Sequence, residues 1–270
     1  MARFRQKGKT LGFVPTMGAL HAGHASLIKK AREENDIVLV SIFVNPVQFG
    51  PKEDLKKYPR PEAQDHRLLK AVGVDYVFEP EASEMYPAGF TTIVEVGELS
   101  HVLCGKFRPG HFRGVATVVT KLFNLAGACR AYFGAKDYQQ SVIVRRLIQD
   151  LNLDIELHML PTIREKDGLA LSSRNRYLNP EERKKARGIP DTLFWMRGEI
   201  KRGVRNLARL RRQGFAKLKQ SVDRIDYLEI IDPETLVSLK QCQSEMVLAA
   251  ACYVGKTRLI DNVIMRPSKK

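Results

Sequence analysis

The sequence predicts the α/β class: a parallel sheet with helices on both faces, followed by a smaller C-terminal α+β domain. Three observations carry that expectation. Apolar runs and helical stretches alternate through the first 160 or so residues. The runs are continuous rather than alternating, the mark of strands buried on both faces. The texture then changes after Pro161, where polar residues and basic helices take over.

The elements follow in order. Leu11-Gly12-Phe13-Val14 reads as a buried strand and His24 to Glu34 as the helix behind it. Ile37 to Phe43 (IVLVSIF) is too short and too β-branched for a helix, so it is a second strand. Pro61 to Val72 is helical and Val74 to Phe78 a strand. Phe112 to Ala126 is a helix, Arg130 to Phe133 a short strand, Lys136 to Leu151 a helix and Asp154 to Leu160 a strand. Beyond a boundary near residue 162, Arg164 to Asn175 (REKDGLALSSRN) reads as a flexible polar loop. Asn179 and Pro180 mark a helix start, with asparagine as N-cap and proline at the first helical position. Two basic helices follow. Arg224 to Ile231, Met246 to Val254 and Arg258 to Ile264 then read as antiparallel strands. The expected domains are 1–162 and 163–270.

The chain has 270 residues, 44% of them hydrophobic, enough for a core and against a disordered chain. No apolar run reaches the roughly 18 residues that a membrane span needs. The N-terminus MARFRQKGKT is basic with no apolar stretch behind it, unlike a secretory signal. The four cysteines show no CxxC spacing and read as separate reduced thiols of a cytosolic protein. A formal charge of +15 implies a liking for anions. Lys201 to Lys219 holds eight Lys/Arg and no acid, yet Val204, Leu207, Leu210, Leu218 and Val222 fall on a helical stripe. That pattern reads first as a solvated cationic helix face and second as an RNA- or membrane-facing one.

The unusual residues fall after the strands, where open parallel sheets bind ligands. Pro15-Thr16-Met17-Gly18, Asn45-Pro46-Val47-Gln48-Phe49, Gly134-Ala135-Lys136-Asp137 and the loop Lys166 to Asn175 should share one rim. His21 and His24 sit where the chain enters a helix. A metal would need a third ligand, and HExxH is absent. Local hydrogen bonding of both rings is a second reading. Anion binding is the third and the favoured one: a helix N-terminus offers unpaired N–H groups, and two imidazoles can donate to phosphate oxygens. Neither GxGxxG nor a P-loop occurs.

HxGH after a strand resembles the adenylate-forming signature of the class I synthetase and nucleotidyltransferase superfamily, and Leu171-Ser172-Ser173-Arg174 resembles its mobile phosphate-gripping loop. Longer stretches make the resemblance specific: VPTMGALHAGH, SIFVNPVQF, RPGHFRGVATVVTKLFN, FGAKDYQQ, KDGLALSSRNRYL and TRLIDN, in this order over nearly the whole chain. They are similar to pantothenate synthetases (pantoate–β-alanine ligases). The resemblance implies a Rossmann-like first domain, a small C-terminal lid domain and a cytoplasmic homodimer. It implies ATP-dependent joining of pantoate to β-alanine with Mg2+, through a pantoyl adenylate. It assigns ATP binding to Met17, Gly18, Ala19, Leu20, His21, Ala22, Gly23, His24, Gly134, Ala135, Lys136, Asp137, Ile163, Leu171, Ser172, Ser173 and Arg174. His24, His21, Lys136 and Arg174 would be the catalytic residues. Gln48 and Gln140 would hold pantoate, with Asn45 and Arg108 in the site wall. No protein metal ligand, membrane or nucleic acid is implied.

The chain departs from the family pattern where an acid is usual: Ala135 stands in Gly-Glu-Lys-Asp and Cys104 in Leu-Glu-Gly. It also has little of the leading segment that family members carry before VPTMG. Two other functions remain open on sequence: a different nucleotidyltransferase of the superfamily, against which NPVQF and YQQ argue, and an RNA-binding protein on a degenerate synthetase fold, without a recognisable RNA module.

Overall fold

The computed structural model describes residues 8–51 and 53–266. The N-terminal stretch read above as no secretory signal lies largely outside them. Contacts divide the chain into two compact units, interleaved in sequence. The first comprises Met1–His101, Arg108–Ala135 and Gln140–Pro161, and the second Val102–Phe107, Lys136–Gln139 and Thr162–Lys270.

In the first unit, strand β1 (Leu11–Thr16) is buried along nearly all its length. Helix α1 (Ala22–Glu34) leads to strand β2 (Ile37–Ile42), which pairs in parallel with β1 from Leu11↔Ile37 to Thr16↔Ile42. Helix α2 (Glu62–Ala71) precedes strand β3 (Tyr76–Phe78), shorter than the expected Val74–Phe78 and exposed at Tyr76 and Val77. The short α3 (Ala82–Met85) follows. The segment Leu103–Phe107, here α4, belongs by its contacts to the second unit. Helix α5 (His111–Ala126) and strand β4 (Cys129–Gly134) return to the first, then α6 (Tyr138–Asp150) and β5 (Ile155–Leu160). Among the described residues the sheet order is β3-β2-β1-β4-β5, all parallel. The continuous apolar strands behave as their pattern requires: Val14, Val38 and Val40 are fully buried against Leu27, Ile28 and Ala31 of α1.

The second unit is built on an antiparallel sheet, β6 (Arg224–Ile231), β7 (Met246–Val254) and β8 (Thr257–Met265), in the order β6-β7-β8. Three helices accompany it, the one that starts after Asn179 and two behind it: α7 (Pro180–Ala186), α8 (Gly188–Lys201) and α9 (Leu207–Lys219). Asn179 Oδ1 accepts from Glu182 N at 2.9 Å while Glu182 Oε2 accepts from Asn179 N at 3.0 Å, a reciprocal cap. Leu207, Leu210 and Leu218 face the core with Ile189, Leu193 and Met196, and the arginines of α9 point outward. The cationic run is therefore one face of a packed helix, and it begins after a break at Gly203 rather than at Lys201.

The segment 164–175, read as a flexible loop, is instead tied down. Arg164 bridges to Ala170, Leu171 N donates to Ile163 O at 3.0 Å, and Leu169 and Ala170 are buried. Its polarity misled because its polar side chains bond one another: Asn175 Nδ2 donates to Glu165 Oε1 at 2.7 Å and to Ala170 O at 3.0 Å. Cys104, Cys129, Cys242 and Cys252 form no disulfide among the described residues. No helix of the described residues is long and apolar enough to cross a membrane.

Candidate active site

The order β3-β2-β1-β4-β5 reverses direction at β1: the chain builds outward through β2 and β3, then crosses to β4 on the other side. Ligand crevices in such sheets open at this reversal, beyond the carboxyl ends of the strands. Met17, Asn45 and Ala135 follow the ends of β1, β2 and β4 at that rim.

The turn after β1 is built to a defined shape. Thr16 Oγ1 donates to Ser41 O at 2.8 Å and accepts from Gly18 N at 3.2 Å. Gly18 and Ala19 are both left-handed, at φ 75° and 51°, and a side chain at Gly18 would press on Ile42 and Asp65. An alanine in this conformation is strained unless its surroundings hold it. Asp65, buried in α2, does so: Oδ2 accepts from Ala19 N and Oδ1 from Leu20 N, each at 2.8 Å.

This turn delivers His21 and His24 to the start of α1. His21 is the N-cap, its Nδ1 accepting from Gly23 N at 3.1 Å, and His24 Nδ1 accepts from His21 N at 3.3 Å. The rings lie 4.1 Å apart between centroids. A nitrogen that accepts carries no proton, so each neutral imidazole holds its hydrogen on Nε2 and is a donor there. The local hydrogen bonding expected as the second reading is present for both rings. Local hydrogen bonds satisfy the inner nitrogens and set the tautomer, and that tautomer suits an anion. Among the described residues no group of three or more His, Cys, Asp or Glu is arranged to hold a metal.

Beyond β2, Asn45 and Gln48 are buried. Asn45 Nδ2 donates to Gln48 Oε1 at 2.9 Å and to Gly114 O at 3.1 Å, Tyr86 Oη donates to Asn45 Oδ1 at 2.8 Å, and Gln48 Nε2 lies 3.0 Å from Met17 Sδ. Arg108 reaches the same segment from another side. Its Nε and Nη2 donate to Glu53 Oε1 and Oε2 at 2.7 and 2.5 Å, and its Nη1 meets His111 Nε2 at 2.9 Å. His111 Nδ1 lies 2.9 Å from Gln48 O, a carbonyl that can only accept, so His111 donates there and accepts from Arg108. Burial opposes ionisation of Glu53, but the Arg108 hydrogen bonds and charge outweigh it and hold the carboxyl below its ordinary 4.5. Gln140, also of this unit, is half-buried in α6.

The second unit carries the other expected residues. Lys136 is mostly buried, its Nζ 3.6 Å from Asp137 Oδ1 and its carbonyl accepting from Asn262 Nδ2 at 2.8 Å. Asn262 is held in turn by Arg164, which donates to its carbonyl at 3.1 Å and forks onto buried Asp261 at 2.7 and 2.9 Å. Ser172 caps the short helical turn Ser173–Tyr177, its Oγ accepting from Arg174 N at 3.3 Å. Ile163 is exposed, its carbonyl bonded to Leu171 N. Where the family pattern has acids, Ala135 is 2% exposed and Cys104 6%. Arg258 Nη1 reaches Cys104 Sγ at 3.5 Å, its Nε is held by Asp226 at 2.8 Å, and its Nη2 is buried without a hydrogen-bond partner.

Sequence reading gave no site role to Glu53, Asp65, Tyr86, His111, Arg164, Asp261 or Asn262. Asp65 meets Ala19 across 46 residues of chain, a pairing without a local signal. The TRLIDN stretch does contain Asp261 and Asn262, and was quoted for its resemblance without a role.

A family model described as pantoate-beta-alanine ligase matches residues 1–264. The chain is 54% identical over 259 residues to the pantothenate synthetase of Fervidobacterium nodosum, covering 96% of this chain and 92% of that one. A pantothenate synthetase structure from Thermus thermophilus superposes with a TM-score of 0.93 at 48% identity, covering 98% of each chain. A third relative is the pantoate-beta-alanine ligase of Francisella tularensis, solved in complex with beta-gamma ATP and beta-alanine. It matches at 38% identity with a TM-score of 0.77, over 96% of this chain and 90% of that one. With this fold, this rim and these matches along almost its full length, the chain belongs to the pantoate-beta-alanine ligases.

Proposed function

We propose that the protein condenses pantoate with β-alanine in two steps at the expense of ATP. A carboxylate oxygen of pantoate attacks the α-phosphorus, the bond to the bridging oxygen breaks, and pyrophosphate leaves. The amine of β-alanine then attacks the acyl carbon of the pantoyl adenylate, AMP leaves with the electron pair of the acyl–oxygen bond, and the nitrogen loses a proton. No covalent bond to the protein is needed. Catalysis rests on alignment and on stabilising charge at phosphorus.

The observation that carries this reading is the pair of imidazoles at the α1 N-terminus, both accepting at Nδ1 and so carrying the proton on Nε2. Donors there, together with the helix dipole, match the phosphates of a nucleotide. Met17, Gly18, Ala19, Leu20, Ala22 and Gly23 form the backbone cradle, with Gly134 and Ala135 at the end of β4. Lys136 and Arg174 oppose phosphate charge, Ser172 and Ser173 add hydroxyl donors, and Asp137 accepts from ribose hydroxyls. Leu171 and the backbone of Ile163 take the adenine side. Gln48 and Gln140 bind pantoate, neutral amides suited to its hydroxyls and carboxylate. Mg2+ arrives with ATP: an ion that keeps its waters and binds substrate phosphates needs few protein carboxylates, which fits a site without a carboxylate cluster among the described residues. In this reading the nucleotide and pantoate belong to the domain 1–162, and 163–270 contributes the lid of a cytoplasmic homodimer.

The test is AMP release from ATP and Mg2+ with pantoate, with and without β-alanine. AMP that requires both substrates supports the ligase, and pyrophosphate released with pantoate alone supports the adenylate. No AMP from folded protein overturns the reading and makes RNA binding the next assay. Unchanged adenylate formation in His24→Ala would refute the site.

A further inference from the structure

We propose that Tyr86 and Asn45 are positioning residues that lock the Gln48 side-chain amide with its NH2 group outward, so that Gln48 selects a substrate oxygen able to accept a hydrogen bond. The proposal rests on Gln48 as a pantoate contact.

The polarity is dictated from the backbone of α5. Gly114 O can only accept, so the Asn45 amide atom 3.1 Å from it is the NH2. The second hydrogen of that NH2 is directed to Gln48 at 2.9 Å, so the Gln48 atom it meets is Oε1. The other end of Asn45 is a carbonyl, and Tyr86 Oη donates to it at 2.8 Å. Burial pushes the Tyr86 phenol well above its ordinary value, so the hydroxyl keeps its proton and stays a donor. One orientation remains for Gln48, with Nε2 facing Met17 Sδ at 3.0 Å. A thioether is a weak acceptor, so the NH2 retains most of its bonding capacity for an incoming oxygen. Gly114 makes the anchor reachable: a Cβ there would fall on the Val47 carbonyl and 2.7 Å from Gln48 Cα.

Asn45 is 1% exposed and its amide is engaged on both ends, which suits it to orient Gln48 rather than to touch substrate. Tyr86 is wedged by Phe43 and Phe90, with ring centroids at 6.2 and 5.1 Å, so its hydroxyl has little freedom to leave Asn45.

The test is a double-mutant cycle on pantoate-dependent pyrophosphate release, with thermal melting of each variant as a fold check. Tyr86→Phe leaves Asn45 Oδ1 buried without a donor and should raise the KM for pantoate about tenfold with the KM for ATP unchanged. Asn45→Asp, which cannot donate to Gln48 Oε1, should raise it further. In a Gln48→Ala background both substitutions should add nothing. Equal effects with and without Gln48 would overturn the relay while leaving Gln48 as a pantoate contact. A Gln48→Ala variant with an unchanged KM for pantoate would instead remove the reading beneath it.

Discussion

Asp65 shows how a single carboxylate shapes a site it need not touch. Its two oxygens hold consecutive N–H groups of Ala19 and Leu20, and through them the left-handed turn that aims His21 and His24. Asp65→Ala should cost about 2–3 kcal/mol of stability in urea unfolding, since it orphans buried donors. It should also raise the KM for ATP, which a stabilising effect confined to α2 would not do. Glu53 makes a prediction in pH. Its folded pKa lies below its ordinary 4.5, so the stability it contributes is present above that value and disappears as pH falls through the folded one. Glu53→Gln should therefore flatten the loss of melting temperature on the acid side. An unchanged acid limb would show that Arg108 does not stabilise the ionised carboxylate. His111 belongs to the same set, because its role as donor to Gln48 O and acceptor from Arg108 requires the neutral ring.

At the scale of elements, α9 separates two meanings of a basic run. Leu210 is fully buried, whereas Arg209 and Arg212 are exposed and have no ion pair among the described residues. Leu210→Ala should cost about 2–5 kcal/mol, and Arg209→Ala or Arg212→Ala less than about 0.5. Equilibrium denaturation of the three variants decides it, and a large loss at either arginine would contradict the packed-helix account. Helix α5 offers another check. Gly114→Ala places a methyl against backbone rather than a yielding side chain, so the helix must back away, at about 1–3 kcal/mol and with Asn45 pulled from its anchor. Most elements were legible because strand and helix leave different periods. Ile37–Ile42 and His111–Ala126 needed nothing else. The region 164–175 was not, because a run of Arg, Glu, Lys, Asp, Ser and Asn looks solvated until its partners are known. Here Arg164 finds Asp261, 97 residues away, and Glu165 finds Arg183 at 2.6 Å, 18 residues on.

For the whole molecule, the motifs marked the segments to which the proposed chemistry is assigned and said little about what holds those segments in place. HxGH, NPVQ and SSR could be read because their residues are local and adjacent in sequence. Asp65, Tyr86 and Asn262 could not, because each acts on a loop from 41 to 126 residues away. The sheet order carries a consequence for how the chain is made. Strand β1, the central one, leaves the ribosome before its neighbours, and β2 and β3 can close on one side of it soon after. Its other edge must wait for β4, more than a hundred residues later, and until then it presents an apolar strand with unpaired backbone. The segments 102–107 and 136–139 wait longer still, since the unit that receives them is mostly residues beyond 161. During synthesis, then, the nascent protein carries the turn between β1 and α1 on a half-built sheet, and that interval is when a chaperone would have most to shield.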